Sequence, residues 1–530
     1  MSDRDESAAS RFPTFRAAPR WLLGLPWHTA HGVAWLWRKT WRYTAALLAL
    51  LILAHIVLNV VASRRLGREL ARLRAEGAPL TPAEAAPPKI PDSENAAVLY
   101  QKAFNGLANE EDTLFLRRAL YNGPWRFSGQ PGKGLPPPSQ AEIEAFLAQH
   151  EGDFRLLREA SLRPACRFPV EWEKGFEALL PHLGQARNAT RFLVAKALVD
   201  ARDGRAGAAL DDLGTAIRMS NHMSAEPTLI AQLVRVSCIA IVSAGLPEVL
   251  EKAPPTAQES RAFYDLLGQV DMTGSWLHGM EGERAMGLWG FDYVRRSPDN
   301  FMVMFSMSGV NRGPAWARRH RFALRALFPL ARVVWMPFLK LDETYFIRGW
   351  EETMPLHKKL SRDSRADFVR LEETIRDRFP RYAIWTRAFF PVFSRASEAR
   401  DRGIALIGMM QAALALRAYQ VEHGEYPTSL AQLKARGGWA IPDDPFSGKP
   451  FIYRPDVAQP ARPEPVEGPS AGNGQPPRAT PAHAGAGYLI YSVGPDGKDD
   501  GGLDNVTALE RNRGQRGSEV TYDYPLRMKR

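Results

Sequence analysis

The chain has 530 residues, of which 45% are hydrophobic, 24% charged and 10% aromatic. That composition excludes a wholly disordered chain, a collagen-like repeat and a small disulfide scaffold, and the length accommodates two or three domains. The formal net charge is +11, and it is unevenly placed. Residues 1–76 carry twelve Lys/Arg against five Asp/Glu, and residues 300–341 carry seven basic residues and no acid. A nucleic-acid partner needs a broad basic surface. Here the basic excess flanks apolar runs, so a membrane is the expected partner and nucleic acid is not. The two cysteines, Cys166 and Cys238, build no framework and no zinc spacing. They read as small buried apolar residues, although pairing in an oxidising compartment stays open.

Residues 1–42 form a basic, Trp-rich tail with Trp35, Trp37 and Trp41 near its end. Tyr43 to Ala62 (YTAALLALLILAHIVLNVVA) is free of formal charge, and twenty such residues cross about 30 Å of hydrocarbon. Arg38, Lys39 and Arg42 bracket one end, and Arg64, Arg65 and Arg68 the other. The segment reads as a single uncleaved transmembrane helix. His55 and Asn59 share one of its faces and read as tolerated polarity or as a contact with another helix. Seven basic residues precede it, so the tail is read as cytoplasmic and the body as external. The expected location is a bacterial inner membrane, single-pass, with a periplasmic body. A second apolar run, Thr228 to Leu246, contains Gln232 and Arg235. An Arg at a bilayer centre costs about 3 kcal/mol, so this run is expected as a buried helix with Arg235 paired internally, Pro227 standing at its first turn.

Residues 63–92 form a juxtamembrane segment and a Pro/Ala-rich linker. Residues 93–399 are expected to form an α-helical body, because apolar residues recur at three- and four-residue spacing. Asp92 or Ser93 would cap a helix carrying Asn95 to Phe104. Ala186 to Asp203 and Ala206 to Met219 read as a helical hairpin around Gly204, with Ala209, Leu210, Leu213, Ala216 and Ile217 facing inward. The stretch DGRAGAALDDLGTAIRM resembles half of a tetratricopeptide unit; no second copy stands in register, so an irregular stack of helical hairpins is expected. His278, Glu281 and Glu283 lie close in sequence. Di-iron bundles use Glu-x-x-His in two copies, whereas this is the reversed order once, and a solvated or internally paired face is expected. Residues 316–340 interleave Arg with bulky apolar residues at helical spacing, with Pro329 and Pro337 as kinks, a pattern that suits either a helix in the headgroup plane or one packed on the body.

From residue 400 the pattern changes to a long helix (Gly403 to Val421), a short one, and strands at Phe451 to Tyr453, Tyr488 to Val493 and Val520 to Tyr524. Ala418-Tyr419, Gly424-Glu425-Tyr426-Pro427-Thr428, Asp444-Pro445-Phe446, Gly448-Lys449-Pro450, Tyr491-Ser492-Val493-Gly494 and Asp496-Gly497 follow in that order. Residues 400–530 therefore resemble the C-terminal half of the major pseudopilin of type II secretion (protein G), an α+β domain with a small antiparallel sheet. The whole layout also resembles a recurrent type of bacterial membrane-anchored protein that ends in this module, a likeness that implies no particular activity. Two departures stand out: some 340 residues separate Ala62 from Gly403, and no Gly-Phe-Thr-Leu-Ile-Glu-like processing site precedes Tyr43. Assembly into a filament by the usual helix packing is thus not expected. Residues 455–486, with eight Pro and four Gly, read as a disordered insertion. Their Gly468-Pro469-Ser470-Ala471-Gly472 is a GxSxG string without the strand and helix a nucleophile elbow needs.

The loop Ser492 to Asn505 places Asp496, Asp499, Asp500 and Asp504 within nine residues, among glycines. Close carboxylates repel without a cation, and calcium takes six to eight oxygens; a solvated acidic turn is the plainer reading of the spacing. Lys498 and Thr507 exclude an EF-hand. The resemblance implies a structural calcium ion here. The function expected is non-enzymatic scaffolding or interaction in the cell envelope, with the lipid bilayer and envelope or secretion proteins as partners. The alternative is a hydrolase-like envelope enzyme with a cleft in the helical body, where Glu226, Arg235, Glu283 and Arg284 stand as charges on otherwise apolar helices. A third reading makes residues 316–340 a lipid-surface sensor.

Overall fold

A computed structural model describes residues 27–122, 138–297, 300, 321–457, 487–499, 501 and 524–528. Most of the basic tail, most of the 455–486 insertion with its GxSxG string, residues 316–320, Asp500, Asp504 and residues 520–523 of the third expected strand lie outside the described residues. The chain divides into two units, Met1–Arg64 and Arg65–Arg530.

The first unit contributes the apolar part of α1 (Trp27–Ala75). Leu47, Leu48, Leu50, Leu51, Ile52, Leu53, Ile56 and Val57 are all exposed along it. Among the described residues, three helical stretches are long and apolar enough to cross a bilayer, rather than the single one expected: Thr40–Ala75, Leu229–Lys252 and Ala396–His423. Their apolar windows are 6%, 61% and 78% buried, respectively. A helix apolar all round belongs either in a core or in lipid, and the second and third already have a protein core around them.

The second unit is dominantly helical. After the end of α1 come α2 (Pro82–Ala85), α3 (Ala96–Gly106), α4 (Glu110–Arg117), α5 (Gln140–Gln149), α6 (Glu151–Ser161), α7 (Pro181–Arg202), α8 (Ala206–His222), α9 (Leu229–Lys252), α10 (Ala257–Gly268) and α11 (Met272–Arg296). Then follow α12 (Arg321–Lys358), α13 (Ser361–Arg378), α14 (Ile384–Phe389), α15 (Pro391–His423) and α16 (Leu430–Gly437). Local chemistry sets many of these boundaries. Ser139 with Glu142, and Thr256 with Glu259, make capping boxes at α5 and α10. The cap of α3 is Asn95, not Asp92 or Ser93: its side chain accepts from the Ala97 amide at 3.1 Å and from the Arg167 amide at 2.9 Å. That second bond fixes the choice, because it ties the helix start to a distant segment. The α7–α8 hairpin turns at Gly204, whose φ of 77° suits glycine, and Ala209, Leu210, Leu213, Ala216 and Ile217 are buried as expected. Pro227 precedes the cap of α9, Thr228, which accepts from the Ala231 amide.

Three strands, β1 (Ile452–Val457), β2 (Gly487–Ser492) and β3 (Tyr524–Met528), form an antiparallel sheet in the order β1-β2-β3. Tyr453 pairs with Ile490, and Ile490 with Leu526. The third strand thus starts where the expected one ends. Every residue of β2 is buried, as a central strand packed on both faces requires.

The expected boundary at residue 400 falls inside α15. One hydrophobic core runs without a break from Ala96 through α7, α8 and α9 to α15 and on to Tyr488, Ile490 and Val493. A second core gathers Leu66 and Leu73 of α1, Trp276 and Met280 of α11, Phe346 and Trp350 of α12 and Phe390. Leu66, Leu70 and Leu73 follow the spacing of one helical stripe.

Two neighbouring charges on α15 join these layers. Arg400 and Asp401 are both fully buried and paired at 2.6 Å. Arg400 donates to the carbonyl oxygens of His357 and Lys359, at the carboxyl end of α12. Asp401 accepts from the Ser361 amide at 2.5 Å, at the amino end of α13. Each charge therefore meets the helix terminus of opposite partial charge. His357, bonded to Ser397 at 2.8 Å, is held neutral by burial and by Arg400 beside it, its pKa pushed down to about 3. A similar device joins α12 to α14. Asp342 accepts from the amides of Trp385 and Thr386 and from the Thr386 hydroxyl at 2.6 Å. Burial outweighs these bonds and raises its carboxyl to about 6.

Two outcomes follow for stability. Arg400→Ala leaves Asp401 as a buried unpaired charge and should cost about 3–5 kcal/mol, read by chemical denaturation of the detergent-solubilised chain. Between about pH 4, the ordinary carboxyl range, and about pH 6 folded Asp342 holds a proton that the unfolded chain has lost. Its contribution to stability is therefore greatest below that window and falls as pH rises through it. Asp342→Asn should show a shallower decline than wild type in denaturation midpoints taken across the window.

Candidate functional site

The acidic loop begins where β2 ends. Gly494, Gly497 and Gly501 all adopt positive φ, near 71–76°, which lets the chain curl twice within eight residues. Asp496 accepts from the Lys498 amide through Oδ1 at 3.1 Å, while its Oδ2 is shielded from water and has no hydrogen-bond partner among the described residues. Asp499 is placed differently. Its Oδ1 accepts from the Tyr491 hydroxyl at 2.7 Å and the Gly501 amide at 2.9 Å, and its Oδ2 from Arg454 at 3.2 Å. The Tyr491 bond is the chief reason its carboxyl lies below the usual range. Asp496 thus offers an uncommitted oxygen, whereas Asp499 is engaged by three protein donors. Asp500 and Asp504 lie outside the described residues. Among the described residues no three His, Cys, Asp or Glu side chains gather closely enough to hold a metal ion.

The loop is rooted by a residue that the sequence presents only as part of a motif. Asp444, 1% exposed, accepts from the Phe446 amide and the Ser492 hydroxyl through Oδ1 (3.0 and 2.8 Å), and from the Ser447 hydroxyl and the Val493 amide through Oδ2 (3.1 and 3.2 Å). One carboxylate therefore closes its own Asx-turn and fastens the end of β2 to it. Two arginines of α13 reach the same place: Arg362 donates to the Asp444 carbonyl at 3.2 Å, and Arg365 to the Pro495 carbonyl. The only sequence signal for this role was Asp-Pro-Phe leading into Ser-Gly-Lys-Pro.

Of the charges proposed for a cleft, Glu226, Arg235 and Glu283 gather around the start of α9, whereas Arg284 stands near Glu281, Glu76 and Arg72. Glu226 lies 2.5 Å from His182, both nearly inaccessible. Glu283 accepts from the Leu229 amide at 2.8 Å and so caps α9 from α11; burial raises its carboxyl. Arg235 donates to the Ser220 carbonyl at 3.1 Å, to Gln232 Oε1 at 2.7 Å, to Asn221 Oδ1 at 3.1 Å and to the Ser275 hydroxyl. It is thus satisfied internally, as expected, but by neutral acceptors rather than by a carboxylate. Burial lowers its pKa to about 10, so it stays charged at neutral pH. His278 bonds the Ala225 carbonyl at 3.1 Å, the internally paired face expected for it. Arg284 is buried, and burial lowers its pKa. Gly282 lets α11 approach this junction: a methyl group there would overlap the Pro227 carbonyl. Cys166 and Cys238 are free and buried, and burial raises both thiols.

Comparison with protein-family models, curated proteins and solved structures returns no match for this chain.

Asp444→Ala orphans four donors, three of them buried, and should cost about 3 kcal/mol. Hydrogen exchange should reveal it first as lost protection of the Val493 amide. Gly282→Ala should lower the melting temperature by several degrees through the clash with Pro227.

Proposed function

We propose that this protein is a cell-envelope scaffold. One transmembrane helix, residues 43–62, anchors a helical body in the periplasm, and the body presents a C-terminal module of the major-pseudopilin kind. The observation that carries the reading is the contrast in burial among the apolar helices. The window in Thr40–Ala75 is 6% buried and offers its side chains to lipid, while those in Leu229–Lys252 and Ala396–His423 are mostly enclosed by protein.

A role in interaction rather than catalysis is supported by the partners of the charged residues. Glu226, Arg235 and Glu283 are engaged in the packing of α8, α9 and α11. A role other than filament subunit is supported by α15, whose apolar surface is packed within its own chain. The module would then act as a fixed recognition element, with envelope or secretion proteins as its partners. For the acidic loop the reading adds a structural calcium ion, to which Asp496 would bring the carboxylate oxygen that has no hydrogen-bond partner among the described residues. Asp499, Asp500 and Asp504 are the further carboxylates that the pseudopilin resemblance implies for the ion, which would neutralise the loop's charge.

Two experiments test this reading. Single cysteines placed in residues 458–486 should react with an impermeant thiol reagent in intact cells; reaction only after lysis would put the body in the cytoplasm and end the proposal. The full-length protein should melt higher with calcium than with chelator, and Asp496→Ala should abolish the difference. Identical melting with and without calcium would remove the metal.

A further inference from the structure

We propose that the amino-terminal arm of α12 lies in the surface of an anionic bilayer, a membrane contact separate from residues 43–62. This contact belongs to α12 alone and is the same on whichever side of a membrane the body stands. Leu339, Phe346, Ile347 and Trp350 of α12 are buried in the second core, and Trp335 packs against it. One turn earlier the helix has left the body. Every residue from Pro329 to Val334 is exposed, Leu330 by 68%, Val333 by 59% and Val334 by 55%. That run exceeds one helical turn, so no side of the helix is packed there. Among the described residues after Arg65, the other exposed large apolar residues stand singly in the sequence or, at Ile230 and Leu233, as a pair. Single ones are ordinary on a protein surface; a contiguous apolar run marks a site of interaction.

The arm is two-faced. Ala323, Leu327, Leu330 and Val334 recur at four- and three-residue spacing, while Arg321, Arg325 and Arg332 stand four and seven residues apart. On a helix of period 3.6 these two sets fall on opposite faces. A helix with one apolar face and one arginine face is the form that lies in the plane of a membrane surface. Its length agrees. From Arg321 to Val334 the helix rises about 21 Å at 1.5 Å per residue, whereas crossing the hydrocarbon takes about 30 Å. The arm therefore lies along the surface rather than spanning it. Trp335, at the point where the helix enters the body, suits the headgroup level at which tryptophan gathers.

Charge selects lipid over a second copy of this chain. Residues 300–341 carry seven basic residues and no acid, so two arms laid together would bring like charges into contact without a counter-charge. An anionic headgroup layer supplies that counter-charge along the whole arginine face, and the acyl region beneath it receives Leu330, Val333 and Val334.

The test uses the full-length protein in vesicles of phosphatidylcholine and phosphatidylglycerol. A nitroxide label is attached at Leu330→Cys, at Val333→Cys or, as a control on the body, at Val369→Cys of α13, a position 51% exposed. Cys166 and Cys238 are buried, and wild type treated alike supplies the blank. Collisions with oxygen, which concentrates in lipid, should exceed those with a water-soluble nickel complex several-fold at positions 330 and 333, with the reverse at position 369. Arg325→Gln/Arg332→Gln should lower the oxygen-to-nickel ratio at position 333 several-fold in these vesicles. Nickel collisions in excess at positions 330 and 333 would put the arm in water and overturn the proposal. Few collisions with either reagent would put it under protein, a second copy or another partner, and overturn it equally. A ratio untouched by the arginine substitutions would overturn the choice of an anionic surface.

Discussion

The burial of α15 is the constraint on which the rest of the architecture depends. Its apolar sequence would suit a membrane, yet the chain encloses it, with α9, α10 and α13 along its length and the sheet against its carboxyl-terminal half. Enclosing a helix on every side leaves its few polar groups without water, and each needs a partner. Arg400 and Asp401 meet that requirement with each other and with the two helix ends facing them. A buried ion pair is weak evidence for stability in itself. Its value here is specificity, because one arrangement of α12, α13 and α15 satisfies both charges and both helix termini together.

Much of this was legible in sequence wherever local chemistry sufficed. The α7–α8 hairpin, its inward face and its glycine turn follow from three- and four-residue spacing and from Gly204. The apolar run 43–62 and the buried character of α9 follow from charge, since Arg235 made lipid too costly. What could not be read was set by distant contacts. Nothing local distinguishes Asn95 from Ser93 as a cap; the bond to the Arg167 amide does. Nothing in the sequence around residue 400 reveals that the long helix begins at Pro391 or that Ala396 and Ser397 pack on the body. Compositional change marks a change of secondary structure there, while the core passes straight through it.

The same limit applied to chemistry. Glu226, Arg235 and Glu283 were conspicuous because charges on apolar helices need a reason, and the reason is the junction that starts α9. Asp444 drew notice only as a member of a motif, although it organises the root of the acidic loop more than Asp496 or Asp499 does. The carboxylates themselves were equal in sequence and are unequal in space: Asp499 is taken up by Tyr491, Gly501 and Arg454, while Asp496 keeps an oxygen to give.

The central claim is that one apolar helix meets lipid and the other two meet protein. Photolabelling of the native membrane with a lipid-dissolved carbene precursor, followed by peptide mapping, tests it directly. Label should concentrate in peptides from residues 40–62 and be absent from residues 229–252 and 396–423. Heavy labelling of either of the latter would contradict the account, because a helix at the centre of this core cannot also face the bilayer.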